Sequence, residues 1–72
     1  MLGYSGRVNH SDFDIGIHKT KKRAIEFLKQ LAYESGEDIF TIYKVEEIGG
    51  YISLIDVETY KYSRKWKDWF QL

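Results

Sequence analysis

Three groups of side chains in this sequence have types and spacings that could do chemistry. In the first, Thr20 reads as a helix N-cap, and Lys21, Lys22 and Arg23 fill the first helical positions with His18 and Lys19 just before them. The helix macrodipole disfavours cations at that end, so the cluster gathers positive charge around unpaired backbone N–H groups, an arrangement suited to phosphate or another anion. The same run also reads as a solvated face that pairs with acidic residues elsewhere in the chain. In the second group, Tyr60-Lys61-Tyr62-Ser63-Arg64-Lys65-Trp66-Lys67-Asp68-Trp69-Phe70 interleaves aromatic rings with four cations. Planes beside charges suit single-stranded nucleic acid, and they suit equally a closing helix whose rings face the core while its lysines face water. In the third group, His10, Asp12, Asp14 and His18 share one strand parity and carry metal-ligating atoms. A strand from 10 to 18 spans about 26 Å, too far for one ion, so only His10, Asp12 and Asp14 could cooperate.

Nucleophilic and redox chemistry finds no foothold. Cysteine is absent, which excludes disulfides, thiolate ligands and a cysteine nucleophile together. The serines stand in no G-x-S-x-G context, and the sequence holds no phosphate-binding loop, no G-x-G-x-x-G and no H-E-x-x-H. Glu46, Glu47, Asp56 and Glu58 supply carboxylates, but Glu46 and Glu47 alternate to opposite strand faces and imply no cleft. The chain reads as non-enzymatic, with no cofactor and no metal.

The elements that must position these groups follow from periodicity. Phe13, Ile15 and Ile17 alternate with Asp12, Asp14, Gly16 and His18, the pattern of a half-buried strand, and Tyr4, Gly6 and Val8 alternate before it. With turn chemistry at Asn9 to Ser11, the first eighteen residues read as a hairpin. Ala24, Phe27, Leu28 and Leu31 then recur at helical spacing, widened by Ile25 and Ala32, and the helix should stop at Ser35-Gly36. Ile39 to Ile48 and Tyr51 to Tyr60 are β-branched and aromatic runs around Gly49-Gly50, a two-residue hairpin signal. Pairing 48 with 51 in unbroken register places Phe40, Ile42, Ile48, Tyr51, Ile55 and Val57 on one face, and Ile39, Tyr43, Val45, Ile52, Leu54 and Tyr60 on the other. One amphipathic helix covers only one face, so something else must cover the back. Ser63 could cap a short closing helix in which Trp66, Trp69 and Phe70 sit at i, i+3 and i+4, with Trp66 and Phe70 facing the core and Trp69 more open. A second protein is the other candidate.

Composition bounds the rest. Seventy-two residues form one domain, and the 43% hydrophobic and 17% aromatic content is enough to fold it. The zero net charge conceals opposed blocks: residues 1–33 carry six cations against three acids, residues 34–59 one cation against seven acids, and residues 60–72 four cations against one acid. No apolar leader and no run of 18 apolar residues is seen, so neither export nor membrane spanning is expected, and a cysteine-free chain suits the cytoplasm.

Lys19-Thr20-Lys21-Lys22-Arg23-Ala24-Ile25-Glu26-Phe27-Leu28 resembles the T-K-x-x-A helix opening that follows a hairpin in the arm-type DNA-binding domains of phage integrases. The resemblance covers about ten residues. It implies DNA contact by the sheet bearing Arg7 and His18, although the acidic hairpin after the helix departs from that pattern. In size and in its Lys, Glu, Ile and Tyr content the whole chain is similar to small accessory proteins of bacteriophages and mobile elements, many of which dock on a host protein.

The expected fold is α+β: a four-stranded antiparallel sheet in the order ββαββ, one long helix on one face and a short C-terminal helix, over residues 1–72 as one domain. The expected function is a protein-interaction module, of phage accessory type, that binds or inhibits a host protein or pairs with a second copy of itself. Its binding residues are Tyr43, Ile52, Leu54, Tyr60, Tyr62, Trp66, Trp69 and Phe70. The alternative is a nucleic-acid-binding domain using Lys19, Lys21, Lys22, Arg23, Arg64, Lys65 and Lys67.

Overall fold

The computed structural model describes residues 2–8 and 16–72. Its elements run β1 (Gly3–Val8), α1 (Lys21–Ser35), β2 (Ile39–Ile48), β3 (Tyr51–Ser63) and β4 (Asp68–Gln71). The strands form one antiparallel sheet in the order β1-β2-β3-β4, and His18 adds an antiparallel bridge to Tyr4 on the outer edge of β1. The fold is α+β with one helix and an antiparallel sheet, as expected; β1, β2 and β3 fall where the sequence places strands, and β4 stands where a closing helix was expected. The bridge at His18 fits the expected first hairpin, whereas the turn at Asn9 to Ser11, most of the 12–18 strand and the candidate ligands His10, Asp12 and Asp14 lie outside the described residues.

Both ends of α1 form where local chemistry demands. Thr20 is extended, and its hydroxyl accepts the Arg23 N–H at 3.2 Å, which satisfies one of the donors a helix start leaves unpaired. Gly36 takes the left-handed conformation (φ 70°), and the N–H groups of Gly36 and Glu37 return to the carbonyls of Tyr33 and Ala32. That double bond stops the helix, because a side chain at Gly36 would resist the required φ.

Ala24, Leu28 and Ala32, spaced four apart, turn one face of α1 onto Val8 of β1 and Phe40 and Ile42 of β2, and all six are fully buried. A Cβ on Gly6 would collide with Leu28 and with the Thr41 carbonyl, so glycine is what lets the helix settle directly on the sheet. Tyr4, Ile25, Leu31, Tyr60 and Trp69 close the periphery of this core.

Two expectations are corrected here. The first concerns register. Residues 43–48 pair with 56–51 as the glycine turn dictates, but between Ile42 and Tyr43 the register shifts by one, so that Phe40 faces Tyr60 and Ile42 faces Glu58. The extra residue is Val57, a β-bulge. It carries Tyr60 to the helix-covered face, stacked on Phe40 at 5.1 Å, instead of the opposite face where unbroken pairing places it. The second concerns the C-terminus, where the expected short helix is replaced by a turn at 64–67 and the strand β4. Ser63 does cap, but it caps the turn: its hydroxyl accepts the Trp66 N–H and its carbonyl accepts the Lys67 N–H. A helix of seven or eight residues is below the length that sustains itself, while Asp68 to Gln71 gain a full ladder against Tyr60 to Ser63. The tryptophans accordingly exchange roles. Trp69 packs on Phe40 at 4.8 Å and on Tyr62 at 5.4 Å, whereas Trp66 is 75% exposed.

Candidate protein-docking surface

The hairpin is longer than the helix that covers it. Fifteen helical residues span about 22 Å, against roughly 43 Å for the thirteen residues of β3. α1 packs on β1 and β2, β1 ends opposite Val45, and β4 pairs only with Tyr60 to Ser63. The far part of the hairpin, from Glu46 through the Gly49-Gly50 turn to Ser53, therefore projects beyond β1 and, with the β3 edge from Leu54 to Val57 at its root, forms an arm; the molecule measures 44 × 19 × 18 Å.

The arm is apolar on both sides. Ile48, Tyr51, Ile52 and Leu54 are each more than half exposed, and Ile55 and Val57 more than two-fifths exposed. By register Ile52 and Leu54 share a face with Tyr43, and Tyr51 and Ile55 take the other with Ile48. Among the described residues no strand pairs with the outer edge of β3 between Tyr51 and Glu58, which leaves its backbone N–H and C=O groups unladdered. Such an edge can accept a strand from another polypeptide.

The eight residues expected to bind a partner divide. Ile52 and Leu54 stand on the arm, and Phe70, paired with Lys61 on the helix-free face, is 44% exposed. Tyr43 lies on that face with the Arg7 guanidinium 5.8 Å from its ring. Trp66 stands apart in the β3–β4 turn with the Lys65 ammonium 5.3 Å from its ring. Tyr60, Tyr62 and Trp69 are on the helix-covered face against the core. Ile48, Tyr51, Ile55 and Val57, which the sequence reading places on the face of Phe40 and Ile42, are exposed as well and are not among the eight. Comparing helix length with hairpin length is the signal that would have found them.

The basic clusters are not brought together. Lys21 donates to Glu58 at 2.6 Å, and Glu58 also accepts the Tyr60 hydroxyl. The Lys21 and Tyr60 hydrogen bonds hold the Glu58 carboxyl below the ordinary carboxylate range, Glu58 raises Lys21, and burial followed by Glu58 pushes the Tyr60 phenol up to about 12. Lys19, Lys22 and Arg23 are exposed at that end. Arg64, Lys65 and Lys67 lie at the opposite end of α1, about 22 Å away along the helix, where Arg64 lines a cleft with Ala32 and Gly36. Lys44 pairs with Glu46 at 3.1 Å at the root of the arm.

Among the described residues no helix is long and apolar enough to cross a membrane, and no group of three His, Asp or Glu could hold a metal ion. Comparison with protein-family models, with curated proteins and with solved structures finds no match to this chain.

Proposed function

We propose that this chain is a non-enzymatic protein-interaction module that holds its partner through the β2–β3 arm. The observation that carries the reading is the projecting arm itself, apolar on both faces and open along the β3 edge from Tyr51 to Glu58. Partner backbone adds to the open edge, and partner side chains cover Ile52 and Leu54 on one face and Tyr51 and Ile55 on the other. The compositional likeness to phage accessory proteins favours a host protein as that partner. The test is capture from a cell lysate by the tagged protein and by Leu54→Glu, with and without nuclease. A stoichiometric protein that survives nuclease and is lost with Leu54→Glu supports the reading, provided circular dichroism shows the variant folded. Capture that the variant leaves unchanged overturns it, and a dimer mass with no other protein makes the partner a second copy.

A nucleic-acid reading has one observation in its favour: exposed Trp66 shares a four-residue turn with Arg64, Lys65 and Lys67. It requires oligonucleotide binding that weakens steeply with salt and disappears when those three cations are replaced by Glu. Lys21 contributes little to it, being engaged by Glu58.

A further inference from the structure

At the C-terminal end of α1 the helix, the α1–β2 loop and the β3–β4 ladder enclose a cleft of about 250 Å³. It is lined by Tyr33, Tyr62 and Trp69 and by Glu37, Asp38 and Arg64, while Ala32 and Gly36 leave room at the helix end. We infer that this cleft is a binding site for an alkylammonium ion, taken among the aromatic rings with Asp38 neutralising its charge.

Three features converge on a cation. Aromatic faces carry negative quadrupole charge and attract quaternary and primary ammonium groups, the more so when several rings surround the ion. The helix end contributes the negative pole of its macrodipole, and no basic residue in its last turn offsets it. Asp38, exposed at the lining, adds a carboxylate from the acidic stretch 34–59.

The walls are also preorganised. The Tyr62 N–H bonds the Asp38 carbonyl at 2.8 Å, which fixes the loop to β3, and Trp69 is held edge-on to Tyr62 and against Phe40. The rings of half-buried Tyr43 and exposed Trp66 receive their cations from Arg7 and Lys65 of this chain. Tyr33 by contrast is 83% exposed and adds nothing to the core, yet it stands at the rim of the cleft. The volume suits a side-chain terminus or small amine, below the range of drug-sized sites.

The test uses the Trp66→Phe protein, in which Trp69 is the sole indole, and follows its fluorescence and its indole N–H resonance. Choline is titrated beside its neutral isostere 3,3-dimethylbutan-1-ol. The expected result is a saturable response to choline and a response at least about tenfold weaker to the alcohol, because the ring and carboxylate terms act only on the charge. Tyr33→Ala and Asp38→Asn, both at exposed positions, each weaken choline binding about three- to fivefold, and Arg64→Gln strengthens it. Equal responses to choline and the alcohol, no saturable response, or weaker binding with Arg64→Gln overturns the inference. A short peptide bearing trimethyl-lysine then separates the sources: tighter binding than choline marks a polypeptide side chain as the natural occupant, and equal or weaker binding marks a free amine. The site is distant from the arm, so its failure leaves the docking proposal standing.

Discussion

The two halves of the β2–β3 hairpin are built from the same residue types and have opposite fates. Near its base Phe40 and Ile42 are fully buried under α1, while on the same face of the arm Ile48 is 56% and Tyr51 78% exposed. Hydrophobicity does not separate them, since both stretches alternate or run together Ile, Leu, Val and aromatics. What separates them is the reach of the helix. Burial along the helix face of this sheet is set by the length of the element laid across it, and the overhang is surface for which the described residues supply no cover.

The largest expected effects sharpen that contrast. Leu28→Ala removes the central side chain of the core and should cost about 2–5 kcal/mol, whereas Leu54→Ala on the arm should change stability by no more than about 0.5 kcal/mol. Urea denaturation of both variants reads the difference directly, and comparable losses would mean that the arm is part of the cooperative core. Trp69→Ala should cost about 2 kcal/mol through its contacts with Phe40 and Tyr62, and Trp66→Ala close to nothing. Their thermal midpoints, compared side by side, decide whether the exchange of roles between the two tryptophans is real. Gly36→Ala should cost about 1 kcal/mol, because the cap needs a left-handed residue.

The Lys21–Glu58–Tyr60 group gives the covered half a pH signature that the arm lacks. Glu58 is lowered from 4.5, so its contribution is present above that pH and is lost as pH falls through its lowered value. Lys21 is raised from 10.5 and contributes below that pH, its share lost as pH rises through its raised value. Tyr60 moves from 10.0 to about 12, so between these values the unfolded chain releases a proton that the folded chain keeps, and stability falls. Stability should therefore decline on the acid side of 4.5 and on the alkaline side of 10.0, and Lys21→Met should flatten the acid limb while leaving the Tyr60 part of the alkaline limb in place. An unaltered profile in that variant would remove Lys21 from the linkage.

Deletion of Val57 is the smallest perturbation and the most specific to the arm. Removing the bulged residue leaves 58 opposite 42 and 56 opposite 43, so every pair is kept and stability should change by less than about 1 kcal/mol. The twist that the bulge adds is lost and the arm is re-aimed. Partner capture should then fall while the denaturation curve hardly moves.

Local signals were legible in the sequence and longer-range ones were not. Thr20 and Gly36 announce the helix ends because their chemistry acts within three or four residues, and Gly49-Gly50 announces its turn with φ of 58° and 84° for the same reason. The bulge left no such mark, since Val57 is as good a strand residue as its neighbours. The shift it introduces depends on satisfying Tyr60 and Glu58 against a helix more than thirty residues earlier. Trp66, Trp69 and Phe70 misled because one spacing serves two periods: i, i+3, i+4 fits a helix, and Trp69 inward with Phe70 outward fits a strand. Of the expected binding residues, Ile52 and Leu54 fall on the arm because alternation alone placed them, while Tyr60 and Tyr62 depended on the register and on β4.

The open β3 edge also sets how the free protein must behave in concentrated solution. Tyr51 to Ile55 is a five-residue stretch without charge or proline and with high strand propensity, the composition that stacks copy upon copy into cross-β ribbons. Asp56 follows it directly in sequence as a gatekeeper and exposed Glu47 lies on the neighbouring strand, whereas Glu58 and Glu46 are engaged by Lys21 and Lys44; repulsion between the remaining acids keeps unoccupied copies apart. Its colloidal stability is thus carried by acids that salt screens, and the protein should be handled at low ionic strength.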